Sequence, residues 1–124
     1  MSARFEIKIA KNGDYMFNLY ASNGRVIATS ETYTSLQNCK IGIESVKRNA
    51  RVHIEDQTDG SGALLCPKYE LFLDKEGKFR FRLRASNGEI ICASQAYTVK
   101  ASAQTGIASI AENAPTAEIV ILEQ

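Results

Sequence analysis

The sequence repeats itself at an offset of 64 residues, and this repeat limits the possible folds more than any other feature. Positions 5–50 align with positions 69–114 without a gap, and 18 of the 46 aligned positions are identical, or 39%. Many of the remaining pairs are conservative, such as Phe5 with Tyr69 and Val46 with Ile110. Self-similarity of this kind predicts two copies of one structural unit, each of about 50 residues.

Each copy begins with alternating apolar and polar residues, which is the pattern of half-buried β-strands. In copy one, strands are predicted near 5–9, 15–21 and 26–30, and copy two repeats each of them. The turns contain Asn12-Gly13 and Asn23-Gly24, and Asn-Gly accepts the positive φ that tight turns need. The third strand is apolar on both faces, so it is predicted to lie near the centre of the sheet.

The apolar period then changes to that of a helix. One helical face is apolar in both copies, at 39–50 and at 103–114. Thr34 is predicted to be the N-cap of the first helix, with Gln37 at the spacing of a capping box. Copy two has no glutamine at that position, so its helix is predicted to begin less firmly. A short strand is predicted after each helix, near 51–55 and 118–122.

Together these elements predict an α+β fold made of two tandem β3-α-β repeats. Repeat one spans 1–55, the linker spans 56–67 and repeat two spans 68–124. A unit of about 50 residues buries little surface by itself, so the two repeats are predicted to fold as one compact domain. The expected arrangement is pseudo-two-fold, like a homodimer fused into one chain, with a single antiparallel-rich sheet and both helices on one side.

The motif residues of both copies resemble those of the YegP-like family of small bacterial proteins. In copy one the residues that carry the resemblance are Phe5-Glu6-Ile7, Gly13, Tyr15, Phe17, Leu19, Ala21, Asn23-Gly24, Tyr33-Thr34, Gly42-Ile43, Ser45-Val46 and Asn49-Ala50. Copy two repeats the pattern from Tyr69 to Ala114, so the resemblance covers nearly the whole chain. It implies β3-α-β units that share a single sheet and exchange their last strands. It carries over no catalytic motif.

Composition and charge argue against several function classes. The chain has 15 Lys and Arg residues against 14 Asp and Glu residues, and a net charge of +1 does not favour nucleic acid or an anionic membrane. One histidine and three scattered cysteines are a poor match to a zinc site, so neither a metal nor a cofactor is predicted. Cys39 lies on the apolar helix face and is predicted to be a buried thiol rather than a nucleophile.

The expected location is the cytoplasm. No stretch approaches the roughly 18 consecutive apolar residues that a membrane span needs. The N-terminal residues lack the continuous apolar segment of an export signal, and an odd number of cysteines without a close pair is typical of reduced thiols.

A row of cations in the second strand of copy two is the strongest functional hint. Alternation places four basic side chains on one face of that strand: Lys78, Arg80, Arg82 and Arg84. We call these four residues the basic row. Such a row could follow a nucleic-acid backbone or bind an acidic protein segment. The alternative is a solvated face that acidic neighbours such as Glu70, Glu76 and Glu89 neutralise, and the net charge near zero favours it.

A second hint is a set of polar residues retained in both copies where the third strand leads into the helix. The set is Ser30, Tyr33 and Thr34 in copy one, and Ser94, Tyr97 and Thr98 in copy two. These residues could form two equivalent small-anion sites at the helix N-termini. The alternative is helix capping with a packed tyrosine.

The sequence therefore predicts a non-enzymatic binding or protein-interaction module that acts as a monomer. Weak nucleic-acid or polyanion binding through the basic row is the alternative, and the identity of the partner stays open.

Overall fold

The computed structural model describes residues 3–122, which form one eight-stranded sheet and two helices. The elements follow the chain in this order: β1 (Arg4–Ile9), β2 (Tyr15–Tyr20), β3 (Val26–Ser30), α1 (Leu36–Asn49), β4 (Ile54–Asp56), β5 (Lys68–Leu73), β6 (Phe79–Arg84), β7 (Ile90–Ala93), α2 (Lys100–Asn113), a 3₁₀ turn (Ala114–Thr116) and β8 (Glu118–Ile121). The α+β prediction and the two repeats are confirmed. The strand after the first helix begins later than predicted, at Ile54.

The two repeats meet at the centre of the sheet. The strand order is β4-β5-β6-β7-β3-β2-β1-β8, so the third strands of the two copies are neighbours, as their apolar character predicts. They pair antiparallel, with Thr29 opposite Ala93. Because these two positions are equivalent in the repeat, the pseudo-two-fold axis passes between them.

The last strand of each repeat pairs with the other repeat. β4 lies parallel to β5, with Ile54 opposite Tyr69, and β8 lies parallel to β1, with Glu118 opposite Arg4. The remaining five strand pairs are antiparallel. The exchange of C-terminal strands that the family resemblance implies is therefore present.

Both helices pack on one face of the sheet and enclose the core. The largest fully buried side chains come from the first two strands of each repeat and from the helices, and they include Phe5, Phe17, Tyr69 and Phe81. The Tyr69 hydroxyl donates a hydrogen bond to the carbonyl oxygen of Ala50, 2.7 Å away, which ties β5 to the end of α1. Within residues 3–122, neither helix has the length and apolar character needed to cross a membrane.

The prediction that Thr34 caps the first helix is wrong by one residue. The N-cap is Ser35, whose hydroxyl oxygen accepts a hydrogen bond from the backbone N–H of Asn38 at 3.1 Å. The helix begins at Leu36, so Thr34 lies one position outside it. Val99 occupies the equivalent N-cap in repeat two and has no side-chain oxygen to accept such a bond. The second helix does lack a side-chain cap, but the cause is this valine rather than a missing glutamine.

Candidate functional site

The basic row lies on the sheet face opposite the helices, and its three arginines bind carboxylates of the same face. Phe81 and Leu83 point into the core, so the alternating arginines of β6 point away from it. Arg80 pairs with Asp74 at 2.8 Å. Arg82 and Arg84 both bind Glu70, through Nε atoms that lie 2.5 and 2.7 Å from its Oε1 atom.

Glu70 is the centre of a larger ionic network. Lys68 lies between Glu70 and Glu55, with its Nζ atom 3.2 Å from one carboxylate and 2.6 Å from the other. Glu55 also accepts the backbone N–H of Leu64, so it fastens the segment between β4 and β5 to the sheet. All three arginines of the row are therefore neutralised by carboxylates of the same face, whereas Lys78 forms no ion pair with any residue from 3 to 122.

The network also holds its carboxylates in the ionised form. Burial raises the pKa of Glu70, but hydrogen bonds from Arg82, Arg84 and Lys68 outweigh that effect and bring the pKa to about 2. The hydrogen bond from Lys68 is the main cause that lowers the pKa of Glu55 to about 2. Both groups stay charged at neutral pH.

The repeated polar residues do not act as one cluster. The Ser30 hydroxyl accepts the backbone N–H of Phe17 at 2.9 Å and donates to the carbonyl of Glu31 at 2.7 Å. Ser94 makes the same two bonds, to Phe81 and Gln95. These serines hold the sheet together, whereas Thr34 and Thr98 are exposed ahead of the helices.

The repeated tyrosines pack against the helices at glycine. Tyr33 stacks on Phe17, with ring centroids 6.4 Å apart, and a Cβ atom at Gly42 would lie only 2.7 Å from its Cζ atom. In repeat two, a Cβ atom at Gly106 would lie 3.2 Å from the Tyr97 hydroxyl. Both tyrosines are half-buried, and neither hydroxyl hydrogen-bonds to a residue of the described part of the chain.

Each tyrosine also lines one of two grooves that the pseudo-two-fold axis relates. Both grooves are open to solvent: groove A, between the β2–β3 turn and α2, has a volume of about 670 Å³, and groove B, between the β6–β7 turn and α1, has a volume of about 350 Å³. Each groove thus combines the turn of one repeat with the helix of the other. Ten residues of groove A have an equivalent in groove B: Ala21, Asn23, Arg25, Val26, Ile27, Tyr97, Ser102, Thr105, Gly106 and Ser109.

Residues of the grooves are retained between the repeats more often than other residues. Six of the ten equivalent pairs are identical, against 12 of the remaining 36 aligned pairs. The identical pairs are Ala21/Ala85, Asn23/Asn87, Ile27/Ile91, Tyr33/Tyr97, Gly42/Gly106 and Ser45/Ser109. Both asparagines are exposed, so burial in the core does not account for the whole set.

The main difference between the grooves is charge. Arg25 lines groove A, and Glu89 occupies the equivalent position in groove B. Both side chains are exposed, and neither forms an ion pair with any residue from 3 to 122. Burial, together with nearby cysteine and glutamate side chains, raises the pKa of Tyr33 to about 12, so its hydroxyl is neutral at physiological pH.

The cysteines and the histidine lie away from the grooves' lining. Cys39 is buried, as predicted, and burial raises its pKa to about 11. His53 is exposed on the approach to β4, with its Nε2 atom 2.7 Å from the carbonyl oxygen of Leu65. Among the described residues, no three His, Cys, Asp or Glu side chains are grouped so that they could hold a metal ion.

The sequence reasoning missed Arg25 and Glu89. They differ between the copies, and only the fold brings the turn of one repeat to the helix of the other. The sequence did contain one signal for these positions: the neighbouring turn residues Asn23 and Asn87 are identical in the two copies.

Comparison with known proteins identifies the family. The model of a domain of unknown function, DUF1508, matches residues 10–56 and again residues 74–120. The chain is 38% identical to a UPF0339 protein of Pseudomonas aeruginosa over 117 residues, which cover 94% of each chain. It is also 38% identical to the UPF0339 protein YegP of Yersinia pestis over 109 residues, covering 88% of this chain and 86% of that one.

Solved structures of similar proteins have the same fold. The solution structure of a UPF0339 protein from Shewanella oneidensis superimposes with a TM-score of 0.80 at 35% identity, covering 98% of this chain and 92% of the other. The solution structure of YegP from E. coli, a protein of unknown function, has the same TM-score and identity, and the match covers 98% of this chain and 93% of the other. The resemblance noted in the sequence is thereby confirmed, and the chain, which the DUF1508 model matches twice, belongs to the UPF0339, or YegP-like, family.

Proposed function

We propose that this protein is a non-enzymatic binding module whose ligands occupy groove A and groove B. The observation that carries the proposal is the retention of groove residues between two repeats that have otherwise diverged, at six of ten positions against 12 of 36 elsewhere. Polar side chains retained at the surface of a scaffold are typical of binding sites.

The grooves have the size and lining of small binding sites. Their volumes, about 670 and about 350 Å³, fall in the range of small-molecule pockets. Apolar side chains such as Ile27 and Ile91 form part of each wall, and the tyrosine hydroxyl adds a polar group without a partner in the described chain. A few polar groups on an apolar wall provide orientation and specificity for a ligand.

The chemistry of the linings supports binding rather than catalysis. A general acid or base needs a pKa near the working pH, and the lining residues of these grooves are mostly neutral side chains. The charged exceptions are Arg25 in groove A and Glu89 in groove B, each exposed to water at a turn.

We further propose that the chain acts as a monomer in the cytoplasm. The pairing of β3 with β7 within one chain already places the turn of each repeat beside the helix of the other, so a second copy is not needed to complete either groove. All three cysteines are free thiols, which fits a reducing compartment.

Bulky substitutions on the two helices test the proposal. Thr105→Trp fills groove A and Ile41→Trp fills groove B, whereas Ala108→Trp and Glu44→Trp place the same side chain at exposed positions outside the grooves. We would screen a library of small fragments by amide chemical shifts of the wild-type protein. We expect hits to shift groove amides and to lose binding in the matching groove variant but not in its control. Hits confined to the sheet face opposite the helices, or no hits at all, would contradict the proposal.

Nucleic-acid binding through Lys78, Arg80, Arg82 and Arg84 is the second candidate. The observation that favours it is that Lys78 forms no ion pair within the described chain and that the Arg80 side chain is 41% exposed. Binding of a single-stranded oligonucleotide should then weaken steeply between about 50 and 200 mM salt and in the triple variant R80Q/R82Q/R84Q. Binding without that salt dependence would count against this candidate.

A further inference from the structure

We infer that groove A binds a small organic anion, an apolar body that carries a carboxylate or phosphate group, and that groove B rejects it. This inference rests on the proposed function and assigns the ligand chemistry of one of its two sites. It follows from three features of groove A: one unpaired cation, hydrogen-bond donors in the same lining, and an apolar wall.

The cation is Arg25. It is the one charged side chain in the lining of groove A, it is exposed, and no carboxylate between residues 3 and 122 pairs with it. A guanidinium group recognises carboxylate and phosphate oxygens through parallel N–H donors. Groove B has Glu89 at the equivalent position. The depression that adjoins it is lined by Glu31 and by Arg84, whose charge is neutralised by Glu70. In groove A, the position equivalent to Glu31 is occupied by the neutral residue Gln95.

Neighbouring polar groups of groove A add donors. The carbonyl oxygen of the Asn23 side chain accepts the backbone N–H of Arg25 at 2.9 Å, which leaves the Nδ2 donors of Asn23 free. The Tyr97 hydroxyl and the Ser102 hydroxyl line the same groove and have no hydrogen-bond partner in the described chain. Hydrogen-bond donors that line the same groove as a cation favour an anionic ligand over a neutral or cationic one.

The apolar wall favours a ligand with an apolar body. Ala21, Val26 and Ile27 line the turn side of groove A, and Ala101 lines the helix side. A volume of about 670 Å³ accommodates a single aromatic ring with its anionic group.

Four probes with one aromatic ring test the inference. Benzoate and phenyl phosphate carry the two possible anionic groups, benzyl alcohol is neutral, and benzylammonium is cationic. Each is titrated into the wild-type protein and into R25E, R25K and E89R, with amide chemical shifts as the readout. All three substitutions lie at exposed turn positions, and the same spectra report whether each variant is folded.

For the wild type we expect at least one of the two anions to shift amides of groove A, around Asn23, Gln95 and Ser102, and not those of groove B. Reversal of the charge in R25E should weaken that binding about tenfold, because attraction becomes repulsion at a surface site. R25K should retain most of it, and E89R should gain anion binding in groove B. Which anion binds identifies the ligand as a carboxylate or a phosphate.

Two results would overturn the inference. Anion binding in groove A that R25E leaves unchanged would show that Arg25 does not select the ligand. Binding of benzyl alcohol or benzylammonium to groove A without either anion would also overturn it, while leaving the proposed binding function in place. If no probe shifts amides of either groove and the fragment screen also yields no hits in the grooves, both the inference about groove A and the proposed binding function fail.

Discussion

At the scale of single residues, the contact between a tyrosine and a helical glycine organises each repeat. Glycine in the middle of a helix is unfavourable by about 1 kcal/mol relative to alanine, yet both helices contain one at the same position. The structure gives the reason, because the aromatic rings of Phe17 and Tyr33 come so close to Gly42 that a Cβ atom does not fit. The glycine therefore lets helix and sheet approach each other.

Gly42→Ala should for this reason destabilise the protein rather than stabilise it. A Cβ atom would lie 2.7 Å from the Tyr33 Cζ atom, and Tyr33 is held by its stacking on Phe17. We expect the free energy of unfolding to fall by about 1–2 kcal/mol, measured by urea denaturation. The double variant Y33F/G42A should recover part of this loss. An increase in stability for G42A alone would show that the ring moves aside freely.

The ionic network on the sheet face opposite the helices should make the protein sensitive to acid. Burial raises the pKa of Glu70, but hydrogen bonds from Arg82, Arg84 and Lys68 outweigh it, so the folded pKa is about 2 against 4.5 for the free side chain. A lowered folded pKa contributes stability above pH 4.5 that is lost as the pH falls through about 2. Thermal unfolding of the wild type should therefore shift to lower temperature across this window.

The variant E70Q isolates this contribution. It should be less stable than the wild type at pH 7 and should lose less stability between pH 5 and about pH 2. Glu44→Gln, at an exposed helix position, is the control and should keep the wild-type pH dependence. The same pH dependence in E70Q as in the wild type would show that other carboxylates cause the acid sensitivity.

At the scale of elements, the two repeats form the same helix with different starts. Ser35 accepts the backbone N–H of Asn38, whereas Val99 offers no acceptor at the equivalent N-cap. Both helices still span 14 residues, because their apolar faces are buried against the same sheet. Packing thus decides that the helix forms, and the cap adjusts its stability.

Exchanging the cap residues gives a paired prediction. Ser35→Ala should lower the free energy of unfolding by about 1 kcal/mol, and Val99→Ser should raise it by a similar amount. Thermal unfolding of the two variants beside the wild type measures both shifts. Ser35→Asp retains an acceptor and should stay close to the wild type. The unfolding temperature should fall for Ser35→Ala and rise for Val99→Ser. A shift in the same direction for both variants would contradict the role of the cap.

At the scale of the whole molecule, strand exchange makes each repeat incomplete without the other. β8 of repeat two lies at the outer edge of repeat one beside β1, and β4 of repeat one lies beside β5. The buried side chains of both repeats form one continuous cluster. The sheet therefore has no boundary at which one repeat could separate while the other stays folded.

The chain should consequently unfold in one cooperative step. Amide signals of Ile43 in α1 and of Ile107 in α2 should disappear at the same urea concentration. Ile119→Pro, which disrupts the pairing of β8 with β1, should move both transitions together to lower urea. The exposed variant Ala108→Gly serves as a mild control. Separate transitions for the two helices would show that the repeats are independent.

The repeat, the order of strands and helix, and the central position of the third strands could all be predicted from the amino-acid sequence. These features depend on local periodicity and on turn residues such as Asn23-Gly24, which act through neighbouring residues of the chain. The exact helix start was not determined, because Thr34 and Ser35 both have the chemistry of an N-cap and only the geometry of the first turn selects Ser35.

The arrangement of the charges and the grooves depends on contacts that form only in the folded protein. The basic row was readable from alternation, but the pairing of Arg82 and Arg84 with Glu70 depends on the register of β5 against β6. Arg25 and Tyr97 are 72 positions apart, and they line one groove because the pairing of β3 with β7 at the centre of the sheet brings the turn of one repeat to the helix of the other. Local patterns fix each repeat, whereas contacts between repeats, which no local pattern encodes, create the candidate sites.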